Sequence, residues 1–123
     1  IEEVKKQIIK DKTVVLCQCL DLDKDGEVFQ LHPKTGYGAC FGVKSDWIRK
    51  VKGYDEFYTY WGSEDTDMAK RAKKDGYNLV WLDEPLTKHQ WHKKAPRPTL
   101  DENRRRLEYT ESIVRNDKWG EIC

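Results

Sequence analysis

The sequence has almost no excess of either charge: 23 Lys and Arg stand against 22 Asp and Glu, for a formal net charge of +1. That balance leaves no electrostatic footprint for DNA or RNA, and the run Arg104, Arg105, Arg106 is local and lies among acids. No apolar stretch approaches the roughly 20 residues that a membrane-spanning helix needs, and no signal peptide is visible. Repeats and low-complexity tracts are missing too. Cysteines are few, at Cys17, Cys19, Cys40 and Cys123, and no pair has zinc-ribbon spacing. Cys17 and Cys19 fall side by side on one face of an expected strand, a poor geometry for a mutual disulfide. The thiols therefore read as reduced, in a cytoplasmic setting, with peripheral membrane association left open. Position 1 is Ile rather than Met, which fits either a processed chain or part of a longer one.

What is present suffices for one domain, 1–123, with one modest core: 123 residues, 37% of them hydrophobic. Ile1, Val4 and Ile8 fall on one stripe, which predicts a helix over 1–10. The β-branched run "TVVLCQCL", 13–20, predicts a mostly buried strand, and "EVFQLH", 27–32, a second one. Asp25-Gly26 between them is a hairpin signal. "GYGACFGVK", 36–44, reads as a glycine-rich strand that another backbone or a ligand approaches closely. A short helix, "DWIRKV", capped by Ser45 and stopped at Gly53, should follow. After an aromatic loop, 54–62, a helix is expected from about 64 to 74 with Ser63 or a neighbour as its cap, then a strand over 77–82. Thr99 and Glu102 form a capping-box pattern for a last helix, roughly 100–116, whose Leu100, Leu107 and Val114 read as a core stripe. Alternating helices and strands imply a layered α/β structure with one antiparallel strand pair.

"DLDKDGEVFQLH", 21–32, admits three readings. Asp21, Asp23, Asp25 and Gly26 copy the first half of a calcium loop, but position 12 is His32 rather than a bidentate glutamate, and the flanks read as strands. Asp21-Leu22-Asp23 copies an Asp-x-Asp at a strand end, which can bridge a divalent ion to a diphosphate. The bland reading is a hydrated hairpin turn, and it is preferred here, with His32 as a structural residue.

A second stretch, "FYTYWGSEDTDMAKRAKKDGYNLVW", 57–81, is richer. Acids in the first turn of its helix and bases at the end suit the helix dipole. Trp61-Gly62 is not explained that way. An indole beside carboxylates is what a sugar site needs: the ring covers the apolar face of the pyranose and the carboxylates accept its hydroxyl hydrogens. A carboxylate beside an attacking hydroxyl can also act as general base.

Three features, in this order and spacing, resemble the acceptor-side, C-terminal half of GT-A-fold glycosyltransferases, similar to the β-1,4-galactosyltransferase and polypeptide N-acetylgalactosaminyltransferase group and to related bacterial enzymes. They are "GACFGVKSDWIRKVKGYDEFY", "WGSEDTDMAKRAKKDGY" and "HQWH", 89–92, together about residues 36–95. The resemblance implies an α/β, partial GT-A (nucleotide-diphospho-sugar transferase) fold, a short mixed sheet flanked by helices. It implies transfer of a sugar from a nucleotide-sugar donor, UDP-linked by preference, to a glycan hydroxyl, assisted by Mn2+ or Mg2+. Asp65 would be the base of an inverting reaction. Glu64 would hold acceptor hydroxyls, Trp61 would be the sugar platform, and Gly62 would let substrate approach. Asp67 would tie the helix start to a loop, and Asp55 and Glu56 would fix the aromatic loop. His92 is the first choice as metal ligand and His89 the second. The resemblance further implies that the Asp-x-Asp and the nucleotide-binding part precede Ile1, so that the chain alone is inactive. Two other readings stand beside it: a non-catalytic carbohydrate-binding or interaction module, and a calcium module through Asp21–Asp25.

Overall fold

The structure, a computed structural model, describes residues 1–35 and 37–119. The chain divides into two compact units, one built from Ile1–Gly42 and Asn78–Lys94, the other from Val43–Tyr77 and the stretch from Ala95 onward.

The first unit opens with helix α1 (Glu2–Ile8) and carries two three-stranded sheets. In one sheet, β1 (Thr13–Leu16) lies between β4 (Phe41–Gly42), antiparallel, and β5 (Asn78–Trp81), parallel. Val14, Val15 and Leu16 are fully buried on both faces of this central strand, which is why the run reads as continuously apolar rather than alternating. Val4 and Ile8 of α1 cover Gly42: a side chain there would put its Cβ 2.7 Å from Val4 Cγ1 and displace the helix. In the other sheet, β2 (Cys19–Leu22) lies between β3 (Val28–Leu31), antiparallel, and β6 (Thr87–His89), parallel.

The expected strand over 13–20 is thus two strands in different sheets. The chain leaves the first sheet at Cys17 and Gln18, where the Gln18 amide donates to the His32 carbonyl oxygen (2.7 Å). The expected strand over 36–44 shrinks to a 3-10 turn, Tyr37–Ala39, and the two residues of β4. Strand β6 was not expected at all. The hairpin turn sits at Asp25-Gly26 as read, with Gly26 at φ +84°, but Asp21 belongs to β2 rather than to the turn.

The second unit is helical: α2 (Ser45–Lys50), α3 (Glu64–Lys74) and α4 (Leu100–Glu108). Its core holds Trp47, Val51, Met68, Ala69 and Ala72, together with the buried polar residues Asp67, Arg71 and Asn103. None of the three expected side-chain caps forms. Ser45 is already inside α2, whose N-cap is Lys44. Ser63 has φ +80°, whereas a capping side chain needs extended backbone. Thr99 instead donates its hydroxyl to the Thr59 carbonyl oxygen (2.7 Å). Helix α4 ends at Glu108 rather than near 116, so Val114 is not on it. Tertiary bonds draw the following segment away: Thr110 to Asp67, Arg115 to Asp55, and Asn116 to the carbonyls of Lys52 and Tyr54.

Among the described residues no helix is long and apolar enough to cross a membrane. Cys17, Cys19 and Cys40 are free, and Cys123 lies outside the described residues.

Candidate active-site residues and a histidine pair

Helix α3 presents Glu64 and Asp65 in its first turn, both half-buried. The chain enters that turn through Tyr60, Gly62 and Ser63, all at positive φ (60°, 106° and 80°). Such conformations cost free energy outside glycine and persist only where neighbours hold them. The neighbour here is Asn103 of α4, 1% exposed. Its amide donates to the carbonyl oxygens of Thr59 (3.0 Å), Trp61 (3.4 Å) and Gly62 (3.1 Å). Gly62 at φ +106° leaves room that a Cβ would take up against Leu100.

Trp61 is 45% exposed, and the Arg97 guanidinium lies 3.6 Å from its ring centroid, a cation–π stack. A sugar using that face must displace Arg97. The Asp65 carboxylate accepts from the Thr66 backbone N–H (2.7 Å). Burial, followed by the nearby charges of Asp65 and Glu64, raises the pKa of the Tyr54 phenol, so Tyr54 belongs to the same neighbourhood.

Asp67, expected to tie a loop to the helix start, is fully buried and paired with Arg71 (2.8 Å) and Thr110 (2.7 Å). Asp55 anchors the aromatic loop: it accepts from Arg106 (2.9 Å), Arg115 (3.0 Å) and the Phe57 backbone N–H (3.0 Å). Glu56 holds the loop through its backbone, whose N–H donates to Asn116 Oδ1 (2.9 Å).

In the first unit His89 and His92 come together, their Nε2 atoms 3.3 Å apart. His92 Nδ1 lies 2.8 Å from the Lys93 carbonyl oxygen, which can only accept, so that nitrogen carries the hydrogen. His89 Nδ1 lies 3.0 Å from Asp21 Oδ1. Both Nε2 lone pairs then face each other. Two imidazole nitrogens at this separation can share one ion at bonds like the zinc–nitrogen length of about 2.0–2.1 Å, so the pair offers two of the ligands a divalent metal takes. Trp91, between the two histidines in sequence, lines a cavity of about 400 Å3 with Asp23, Lys24, Asp25 and Lys88.

Asp21 is 5% exposed and sits at the middle of a network. Register places it opposite Gln30 on one side and His89 on the other. The Gln30 amide (2.5 Å) and His32 Nδ1 (2.9 Å) bond Oδ2, and His89 bonds Oδ1. Burial works to raise its pKa, but the hydrogen bonds from Gln30, His32 and His89 together outweigh it and hold the carboxyl at about 2. Asp23 is also occupied: its Oδ1 accepts from the backbone N–H groups of Asp25 and Glu27, both at 2.9 Å. With strand flanks, Asp21 held by Gln30, His32 and His89, and Asp23 held by its own turn, the calcium loop is not formed. The hydrated-turn reading holds for Asp23 and fails for Asp21, while His32, read as structural, supports the Asp21 carboxylate.

The sequence reading did not single out Asn103, Tyr54 or the role of Asp21. Local pattern carries no signal for the first two. For Asp21 the clue was the alternation of Cys19 and Asp21 with Leu20 and Leu22, which puts the acid on the buried face of a strand.

Residues 27–94, more than half of the chain, match the family described as the N-terminal domain of galactosyltransferase. The chain belongs to that family, and its small α/β fold with short mixed sheets is that of a partial GT-A domain. The matched span contains Trp61, Gly62, Glu64, Asp65, His89 and His92, and it excludes Asp21 and Asn103. The chain matches no curated protein and no solved structure.

Proposed function

We propose that the chain is the acceptor- and metal-side part of a GT-A glycosyltransferase that moves a sugar from a UDP-linked donor to a glycan hydroxyl. The observation that carries this reading is the family match across Trp61–Asp65 and His89–His92. Asp65 is the general base, taking the proton of the acceptor hydroxyl as its oxygen attacks the anomeric carbon, with inversion there. Glu64 accepts hydrogen bonds from acceptor hydroxyls. Trp61 stacks on the sugar face, and Gly62 keeps the approach clear. His89 and His92 hold the divalent ion, and two imidazoles favour Mn2+ over Mg2+. When bound, that ion neutralises charge on the leaving diphosphate.

The test uses the full-length natural protein. UDP release is measured from several UDP-sugars with an acceptor glycan, with Mn2+ and with chelator, for wild type and Asp65→Asn. Metal-dependent release that falls at least about a hundredfold in the variant is expected, the low end for loss of a general base. Release that ignores the substitution removes Asp65 as base. Glycan binding without release from any donor, indifferent to metal, would mean a binding module instead.

A further inference from the structure

We propose that Asp21 is a positioning residue of the metal site: its carboxylate fixes His89 as the Nδ1–H tautomer and aims the Nε2 lone pair at the ion shared with His92. The inference rests on the reading of His89 and His92 as metal ligands, and it adds a residue outside the family match.

The geometry is set by three strands. β2 is central, so Asp21 has a cross-strand neighbour on each side, Gln30 on β3 and His89 on β6. The Asp21 side chain is 7% exposed, so little water competes with its partners. Each oxygen is assigned: Oδ2 takes Gln30 and His32, and Oδ1 takes His89 at 3.0 Å with the Cys19 thiol at 3.8 Å. Cys19, Asp21 and His32 could themselves be taken for a metal cluster. Their contacts argue otherwise. Asp21 and His32 bond each other directly, and with Gln30 on the same oxygen Oδ2 is filled by two donors. The cluster is complete as a hydrogen-bonded network, and its one outward link is His89.

Beyond that link, His89 Nε2 meets His92 Nε2 at 3.3 Å. With both Nδ1 atoms bonded to acceptors, no hydrogen lies between the two Nε2 atoms when both rings are neutral. With both rings neutral the two lone pairs repel, and a cation placed between them relieves that. A carboxylate behind a ligating imidazole fixes its tautomer and raises its basicity, and removing such a partner costs about 10–100-fold in metal affinity. Asp21 is built into the sheet for that task.

Binding of Mn2+ to the intact protein is followed by the electron paramagnetic resonance signal of the free ion, for wild type, Asp21→Asn, His89→Ala and His92→Ala. Far-ultraviolet circular dichroism checks the fold of each. A long-range 1H–15N spectrum of metal-free wild type reads the His89 tautomer directly. Expected are a His89 Nδ1–H tautomer, loss of Mn2+ affinity in both histidine variants, and a drop of about 10–100-fold in Asp21→Asn. If the histidine variants lose the ion while Asp21→Asn binds as wild type does, the positioning role is wrong and the metal reading stands. If both histidine variants bind as tightly as wild type, or wild type binds nothing, the metal reading falls and takes this inference with it. Should Asp21→Asn not fold, the wild-type spectrum decides, because an Nε2–H tautomer at His89 overturns the proposal.

Discussion

Replacing Arg71 with methionine should cost more stability than any exposed substitution in the helical unit. Arg71 and Asp67 are both 0% exposed and meet at 2.8 Å. Arg71 Nη1 also donates to the carbonyl oxygens of Gly53 (3.0 Å), Ile113 (3.2 Å) and Val51 (3.4 Å). Methionine fills most of the space but strands the Asp67 charge, and breaking one side of a buried pair costs about 3–5 kcal/mol. For a chain of this size each kcal/mol lowers the melting temperature by about 3–5 °C, so a drop of roughly 10–25 °C is expected. Adding Asp67→Asn removes the stranded charge and keeps an acceptor for the Thr110 hydroxyl, now at 2.7 Å. The double variant should recover about 1–3 kcal/mol. Recovery stays partial because the three carbonyls remain without their donor. Thermal and urea unfolding, followed by circular dichroism, give both numbers. A single-variant loss below about 1 kcal/mol, or a double variant no more stable than the single, would refute the argument from a stranded charge.

Three further outcomes follow from the same unit. Asn103→Ala should leave the fold in place but free the carbonyls of Thr59, Trp61 and Gly62, raising KM for the acceptor more than it lowers kcat in steady-state assays. Trp61→Ala should weaken acceptor binding, whereas Arg97→Ala, which bares the Trp61 face, should strengthen binding of a neutral glycan in calorimetry. Asp55 is held below the usual carboxylate range: burial opposes this, and Arg106, the Phe57 N–H and Arg115 overcome it. A depressed folded value stabilises the protein above the unfolded value of about 3.9, and that stability is lost as pH falls through the folded value. Urea midpoints should therefore decline below about pH 4, with a shallower decline in Asp55→Asn.

Features of the fold that depend on near neighbours were legible in the sequence. The hairpin over Asp25-Gly26 and helix α3 follow from turn chemistry and from the sequence's acid-to-base gradient. Elements created by distant pairing were not. β6 exists because Cys19, Leu20 and Asp21 pair with Thr87, Lys88 and His89, a partnership across nearly the whole unit that no local window contains. Helix α4 stops early for a similar reason: Arg115 and Asn116 are claimed by Asp55 and by the carbonyls of Lys52 and Tyr54. The candidate site divides the same way. Trp61, Glu64 and Asp65 are contiguous enough to be read as a motif. Asp21 was read as a turn residue because its meaning lies in two strands that flank it only after folding.

Strand β3 has a consequence for handling the protein. It is an edge of its sheet, and Val28, Phe29 and Leu31 are 49%, 60% and 49% exposed. Unpaired backbone groups beside three apolar side chains form a template onto which another strand can add. Self-association should then rise with concentration before temperature has any effect, and Phe29→Lys would blunt that edge while leaving in place its neighbour Gln30, the β3 residue that bonds Asp21.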